Sequence, residues 1–234
     1  MPPIVVNKEV IKIDSRLLTC AKLVTGRKAV DVGTDHGYLA VHLVKNNICQ
    51  SCIACDINDK PLMSAKANIM AHKLSSKITA IKSDGLDNVP MENVTDVIMA
   101  GMGGELISSL INKCSRLYDL NSPINLVLQP MTKSEYLRKW LYENNFIIKH
   151  ELACISGGFV YSVIQAEFFG MTPDYPCNDK YIYTGKISKA DPCGKEYIEN
   201  QISRMKTAAF GMLKSHDKRR EGEYLLAAAE KLAE

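Results

Sequence analysis

No stretch of the 234-residue sequence stays apolar over the roughly 18 residues that a membrane span requires. The chain starts Met1-Pro2-Pro3-Ile4-Val5-Val6-Asn7-Lys8, without the basic segment and long apolar run of a secretory signal. Glycine and proline are sparse, 14 and 9 residues, so collagen-like and low-complexity readings fail. Charge of one sign is also missing: 29 Lys and Arg face 26 Asp and Glu, a net +3. A domain that holds nucleic acid by bulk charge is more basic than this, so a nucleic-acid partner would have to meet a local patch. What remains is 46% hydrophobic and long enough for one large domain, or one domain with an appendage. These features predict a soluble, cytoplasmic chain that needs neither disulfides nor metals as staples.

Cysteine, by contrast, is abundant: eight, at positions 20, 49, 52, 55, 114, 154, 177 and 193. Cys49-x2-Cys52-x2-Cys55 resembles the start of an iron–sulfur ligand run, but Asp59 stands where a fourth cysteine would be, and no further Cys-x2-Cys pair occurs. Ser51–Asp56 also reads as a buried strand, in which residues three apart point to opposite faces. The expectation is therefore reduced, buried thiols and no metal.

From residue 14 to about 169, apolar runs alternate with amphipathic stretches. Strands are predicted at 29–33, 52–57, 78–82, 96–101, 124–128, 146–153 and 159–168. Helices are predicted through Leu17, Leu18, Ala21 and Leu23, with Asp14 or Ser15 as candidate cap, and over 38–45, 59–73, 104–114 and 133–144. This alternation predicts an α/β fold with a parallel sheet, its last two strands forming an antiparallel hairpin around Ser156-Gly157-Gly158. Residues 171–194 read as a linker. Beyond them Ile198, Ile202, Met205, Ala209 and Met212 form an apolar seam, continued by Leu225, Ala228 and Leu232 after a turn at Ser215-His216-Asp217. Two antiparallel helices result, either a cap on the main domain or an arm that grips a substrate. The division expected is 1–170 and 171–234.

The most informative segment is Val30-Asp31-Val32-Gly33-Thr34-Asp35-His36-Gly37-Tyr38-Leu39. A glycine-bearing turn after a first strand is where open α/β sheets bind nucleotides, and Asp56, ending the second strand, is placed to bond ribose hydroxyls. A dinucleotide site needs G-x-G-x-x-G, with bare amides and a helix N-terminus facing pyrophosphate. Here only Gly33 and Gly37 are present, and Asp31 and Asp35 flank the turn. Two carboxylates repel a pyrophosphate but attract a sulfonium, so the sign of the charge favours S-adenosylmethionine over NAD. Asp84, in Ser83-Asp84-Gly85, could accept the adenine amino hydrogen. Ala100-Gly101-Met102-Gly103-Gly104 leaves backbone open to a planar group, and Leu128-Gln129-Pro130 closes the same rim.

Asp31–Leu39, Ser83–Leu86, Ala100–Gly104 and Leu128–Pro130, in this order and spacing, resemble the bacterial tRNA (adenine-22-N1)-methyltransferase family, TrmK. The likeness runs from about residue 12 to 168, and the helical tail is similar to that family's coiled-coil region. Departures are small: Thr34 stands where Ser is usual, and Asp56 where Glu also occurs. The resemblance implies a Rossmann-like class I methyltransferase sheet of seven strands, the last pair antiparallel, with a C-terminal helical hairpin. It implies methyl transfer from S-adenosylmethionine to N1 of adenosine 22, in the D-arm region of tRNA.

Carried over, Asp31, Gly33, Thr34, Asp56, Ile57, Asp84, Gly85, Ala100, Gly101 and Met102 would hold the cofactor. Asp35 and His36 would stand at the reacting centre, although a histidine at a helix start reads equally as a satisfied loop residue. Candidate substrate contacts are Arg16, Arg27, Tyr38, Gln129 and Pro130. Tyr38 reads equally as a core aromatic, and Lys133, Arg138 and Lys139 are further candidates for phosphate. The competing readings are a class I methyltransferase acting on another RNA position, a protein or a small molecule, and a non-catalytic RNA-binding module. A monomer is expected, with a dimer left open.

Overall fold

The computed structural model describes residues 13–234, so the first twelve residues of the expected 1–170 unit lie outside the described residues. In chain order the elements are α1 (Ser15–Leu23), β1 (Lys28–Val32), α2 (Tyr38–Lys45), β2 (Ser51–Asp56), α3 (Asp59–Ala71), β3 (Ile78–Lys82), β4 (Asp96–Gly103) and α4 (Gly104–Lys113). Then follow β5 (Asn125–Thr132), α5 (Ser134–Glu143), β6 (Phe146–Ser156), β7 (Phe159–Phe168), α6 (Asp179–Thr184), α7 (Pro192–Leu213) and α8 (Arg219–Ala233). The seven strands form one sheet in the order β3-β2-β1-β4-β5-β7-β6. β1 to β5 run parallel, and β7 is antiparallel to both β5 and β6.

Alternation within each strand divides the core into two layers. On one face Ile53, Cys55, Val97 and Met99 pack with Ile107, Ile111, Leu137 and Leu141 of α4 and α5. On the other, Cys52, Ala54 and Ile98 meet Cys20, Leu39, Leu43 and Ile69 of α1, α2 and α3. The cysteine run is thus split: Cys52 and Cys55 belong to opposite faces of the sheet. Burial pushes the Cys49 thiol up to about 11 and Cys55 to about 12. Such thiols are inert core residues at neutral pH.

β1 has β2 on one side and β4 on the other, so the chain reverses its direction of travel across the sheet at β1. Open α/β sheets bind ligands in the crevice at the carboxyl ends of the strands at such a reversal. That edge carries Gly33, Ile57, Ser83 and the end of β4. Arg27 lies before β1, at the amino-terminal edge, about 15 Å of strand away. The structure therefore does not bring Arg27 to the cavity, because parallel strands carry a residue at their start to the far side of the sheet.

Past residue 170 the expected linker contains a short helix, α6. Asn178 accepts from the Tyr181 amide (3.0 Å), a local cap that the low apolar content of the segment concealed. Helix α7 starts at Pro192 with Asp191 capping Gly194 (2.8 Å). Its seam is shared between two neighbours. Ile198, with Ile187 and Tyr197, packs against Ala153 and Val160 of the β6–β7 hairpin, whereas Met205 packs against Ala228 and Ala229 of α8. The tail is therefore a helical hairpin whose first half caps the edge of the sheet.

Arg138, on α5, is fully buried. Its Nε donates to Glu151 Oε1 (2.8 Å), Nη2 to the Tyr197 hydroxyl (2.9 Å), and Nη1 to the carbonyls of Ile182 and Tyr183 (3.0 and 3.1 Å). It is a structural cation that ties α6 and α7 to the sheet, which removes it from the candidates for phosphate.

Candidate active site

A cavity of about 370 Å³ opens at the carboxyl edge between β1 and β4. Its walls are Asp14, Arg16, Leu17, Asp31, Gly33, Thr34, Asp35, His36, Tyr38, Leu39, Ala100 and Gly101. Local sequence builds each wall. Gly33 has φ +74°, a backbone conformation that residues with a side chain rarely adopt, so the turn after β1 favours glycine, with the Met102 methyl lying over it. The Gly33 and Thr34 amides both donate to the Cys55 carbonyl (2.8 and 2.9 Å), which fastens the turn to the end of β2. These two amides are consequently not free to cradle a pyrophosphate, in agreement with the charge argument against NAD.

Asp31 is 6% exposed, and its Oδ2 accepts from the Thr34 hydroxyl (2.7 Å). Burial pushes its carboxyl up from 3.8 to about 6, against the lowering effect of Thr34 and with a smaller upward push from Asp56. A carboxylate so raised lacks a counter-charge, and a cation entering the cavity would supply one. That is the fit expected for a sulfonium or ammonium group.

Opposite Asp31, Gly101 has φ +79° and its amide donates to Gln129 Oε1 (3.0 Å). The same oxygen accepts from Arg16 Nη1 (3.0 Å). Gln129 is fully buried and Pro130 is also buried, so Gln129 shapes the site by holding Gly101 and Arg16. Gln129 and Pro130 both lie within β5, buried beneath the rim rather than on it.

Arg16 is further held by Asp14 Oδ2 (2.6 Å), while Asp14 Oδ1 caps α1 at Leu17 (3.0 Å). Sequence reading took Asp14 only as a candidate cap. Its second task could have been read from the Asp-x-Arg spacing, which lets one carboxylate serve a helix amide and a guanidinium.

At the mouth, Asp35 is 77% exposed, and its Oδ2 lies 3.2 Å from His36 Nε2. The His36 ring stacks on Tyr38 (centroids 5.2 Å apart), and Asn68 fixes the His36 carbonyl (2.8 Å). Tyr38 is half-buried in the cavity wall at the start of α2, which decides against a purely core role.

Asp56 ends β2, Ile57 follows it, and Asp84 and Gly85 come after β3 on the same edge, beyond the cavity walls. One Asp56 oxygen accepts from the Asn58 amide (2.7 Å). Ile57 is 54% exposed, an apolar surface beside the turn on which a planar ring could rest. Asp84 pairs with Lys113 (3.5 Å). The structure thus gathers Arg16, Asp31, Gly33, Thr34, Asp35, His36, Tyr38, Ala100 and Gly101 around one cavity, with Met102 over Gly33. Asp56, Ile57, Asp84 and Gly85 extend the edge away from it.

Sheet order, cavity position and carboxylate lining define a Rossmann-like methyltransferase fold, and the chain belongs to the methyltransferase-domain family, whose model matches residues 13–164. Among curated relatives, the tRNA (adenine(22)-N(1))-methyltransferase of Bacillus subtilis is 32% identical over 158 residues, 67% of this chain and 66% of that protein. The match therefore spans just under two thirds of the relative's length. Over whole structures the likeness is longer. The B. subtilis m1A22 tRNA methyltransferase TrmK superposes with a TM-score of 0.83 at 23% identity, covering 96% of this chain and all of that one. The M. capricolum TrmK in complex with S-adenosyl-homocysteine gives 0.77 at 27% identity, covering 94% and 96%.

Proposed function

We propose that this chain transfers a methyl group from S-adenosylmethionine to N1 of adenosine 22 in tRNA, engaging the D-arm region of the cytoplasmic tRNA pool. The observation that carries the reading is Asp31, a buried carboxylate without a cationic partner among the described residues, in a cavity at the reversal point of a methyltransferase sheet. The named relatives supply the position on the tRNA.

When bound, S-adenosylmethionine supplies an electrophilic methyl on a sulfonium sulfur. Asp31 would face the cofactor's positive charge, and Asp56, Ile57 and Asp84 would hold its ribose hydroxyls, adenine plane and amino group. Adenine N1 carries its own lone pair, so the chain need not create a nucleophile. Its task is to align N1 with the methyl and to exclude water. The target base must be unpaired or flipped out, because N1 is otherwise tied up in pairing. Tyr38, stacked on His36, offers a ring at the mouth for the extruded base. Asp35 stands where positive charge develops on the adenine and stabilises it, or accepts from its N6 amino group. Arg16, fixed by Asp14 and Gln129, presents its guanidinium at the mouth for a phosphate.

The deciding experiment incubates the protein with labelled S-adenosylmethionine and unmodified tRNA, then maps the modified nucleotide by nuclease digestion and mass spectrometry. Label on N1 of adenosine 22 is expected. Label on another base, or on no RNA, overturns the proposal.

Asp31 also gives a signed prediction. Its folded pKa lies above the ordinary value, so protonation favours the native state. The stabilisation is complete below about 3.8 and is lost as pH rises through about 6. Asp31→Asn should therefore raise the stability of the free protein at pH 7.5, by about 3 kcal/mol, and leave it nearly unchanged near pH 4. The same variant should bind S-adenosylmethionine at least about tenfold more weakly at pH 7.5, because the charge-assisted contact is gone. In the unaltered protein that affinity should fall as pH drops below about 6. Calorimetry across this range checks both signs, and an affinity that ignores both pH and substitution would remove Asp31 from the cofactor site.

A further inference from the structure

The β6–β7 hairpin ends at the same edge of the sheet as the cavity. β7 runs antiparallel to β5 with Leu128 opposite Ile164, so going up β5 toward Gln129 and Met131 means going down β7 toward Tyr161 and Phe159. The hairpin tip reaches α1 as well, where the Ser15 hydroxyl donates to the Ile155 carbonyl. At this tip Phe159 is 68% exposed and Ile155 41%. Gly157 and Gly158 make the turn, and a side chain at either would meet no other described residue within 4 Å.

The exposure of Phe159 follows from strand alternation. Val160 points toward the α7 cluster with Ile198, so Phe159 and Tyr161 point to the opposite face. On that face Tyr161 is covered by Arg16, whose guanidinium lies 5.8 Å from the ring centroid. The Phe159 ring is the next one outward, 6.5 Å from Tyr161 and inclined by 51°. A continuous path results: Gly101 in the cavity, Arg16 bonded with it to the same Gln129 oxygen, Tyr161 under Arg16, then Phe159 in the open. A cation at one end and an exposed aromatic face at the other, separated by one cation-to-ring and one ring-to-ring step, match a phosphate followed by an unstacked base. Single-stranded and looped RNA is held through this pair of contacts. A protein partner would be served by the apolar tip alone and would gain nothing from the charged, cavity-connected end.

We propose that Phe159 is a stacking platform for an unpaired base of the tRNA that neighbours the target adenosine, so that the hairpin sets which nucleotides reach the cavity. This rests on the tRNA methyltransferase reading above and assigns a substrate-positioning surface to an element outside the cofactor site.

The test compares Phe159→Ala, Phe159→Tyr and Phe159→Trp with the unaltered protein. Phe159→Ala should raise the KM for tRNA about tenfold, the scale of one lost base–aromatic stack, with kcat and the affinity for S-adenosyl-homocysteine within about twofold. Phe159→Tyr should restore KM. The sequence contains one tryptophan, Trp140, half-buried against Phe146, so the added indole of Phe159→Trp reports on the tip. Adding tRNA should quench its emission, and a duplex RNA without loops should not. An unchanged KM in Phe159→Ala overturns the proposal. So does indole emission that is already blue-shifted in the free protein and unmoved by tRNA, or a loss of self-association with tRNA kinetics intact, which would make the tip a contact between copies. The unaltered protein tests the underlying reading by itself: if it methylates no tRNA, that reading has failed, whereas normal methylation with an indifferent Phe159 condemns only the platform.

Discussion

Asp35→Ala should lower turnover on tRNA by about two orders of magnitude and leave the affinity for S-adenosylmethionine within a few-fold. The expectation follows from where the carboxylate stands. Asp31 is buried against the turn, while Asp35 lies exposed at the cavity mouth, its Oδ2 3.2 Å from His36 Nε2. Removing an exposed carboxylate leaves no orphaned group in the core, so the fold and the cofactor site should survive. On the proposed function, what is lost is negative charge beside the adenine as positive charge develops on it. Asp35→Asn should fall between the two, since an amide can still accept from N6 but carries no charge. Single-turnover kinetics with saturating cofactor separates the step from binding. Methylation that persists near its original rate in Asp35→Ala would make the residue structural.

The second large effect lies outside the cavity. Arg138→Met should cost about 3–5 kcal/mol of stability, because it leaves the Glu151 carboxylate buried without its cation. For a chain of this size that is a fall of roughly 10 °C in Tm. Burial alone would lower the guanidinium's pKa, but Glu151 and the Tyr197 hydroxyl outweigh it, so the arginine stays charged in the core. Glu151 is held from a second side by the Lys186 amide (2.6 Å), and Gly185 abuts both members of the pair. Loss of Arg138 therefore loosens the segment carrying α6 and the start of α7. Limited proteolysis should cut between residues 170 and 192 in the variant before it cuts the sheet. Removing both charges, in Arg138→Met with Glu151→Leu, should recover part of the stability, since no unpaired ion then remains in the core. Equal melting temperatures for Arg138→Met and the unaltered protein would contradict this account.

These two residues mark the boundary between what was legible in the sequence and what was not. Asp35 belongs to a contiguous run, Asp31–Leu39, whose residue types and spacing bear on the chemistry directly. The turn, its two carboxylates and its position between a strand and a helix are local facts. The same holds for the seven strands, read from period-two alternation and short apolar runs, and for Asp56 and Asp84 at strand ends. Arg138 gives no such signal. On a helix with exposed Lys139 beside it, it reads as one more surface cation. Its burial depends on Glu151, Tyr197 and two carbonyls near residue 182, which only the docking of the tail brings together.

Arg27, Gln129 and Phe159 show the same limit in other forms. Arg27 adjoins a strand that ends in the site, yet parallel running places it at the opposite edge. Gln129 was legible as part of the rim, but its burial and its grip on Gly101 and Arg16 depend on how β4 and β5 lie side by side. Phe159 is an ordinary strand residue in sequence. It becomes an exposed ring near the cavity because β7 returns antiparallel beside β5.

By itself the sequence determined the near-absence of net charge, the alternation that builds the sheet, and the glycine turn with carboxylates that suits a cationic cofactor. Each is set by composition or by residues within one turn or strand of each other. The tertiary structure decided which charges are buried, which residues face the cavity, and which split halves of the cysteine run and the helical seam face which layer. Burial and electrostatic environment are properties of surfaces that meet across the fold, often more than 100 residues apart, as Arg16 meets Gln129 across 113. No local pattern encodes them.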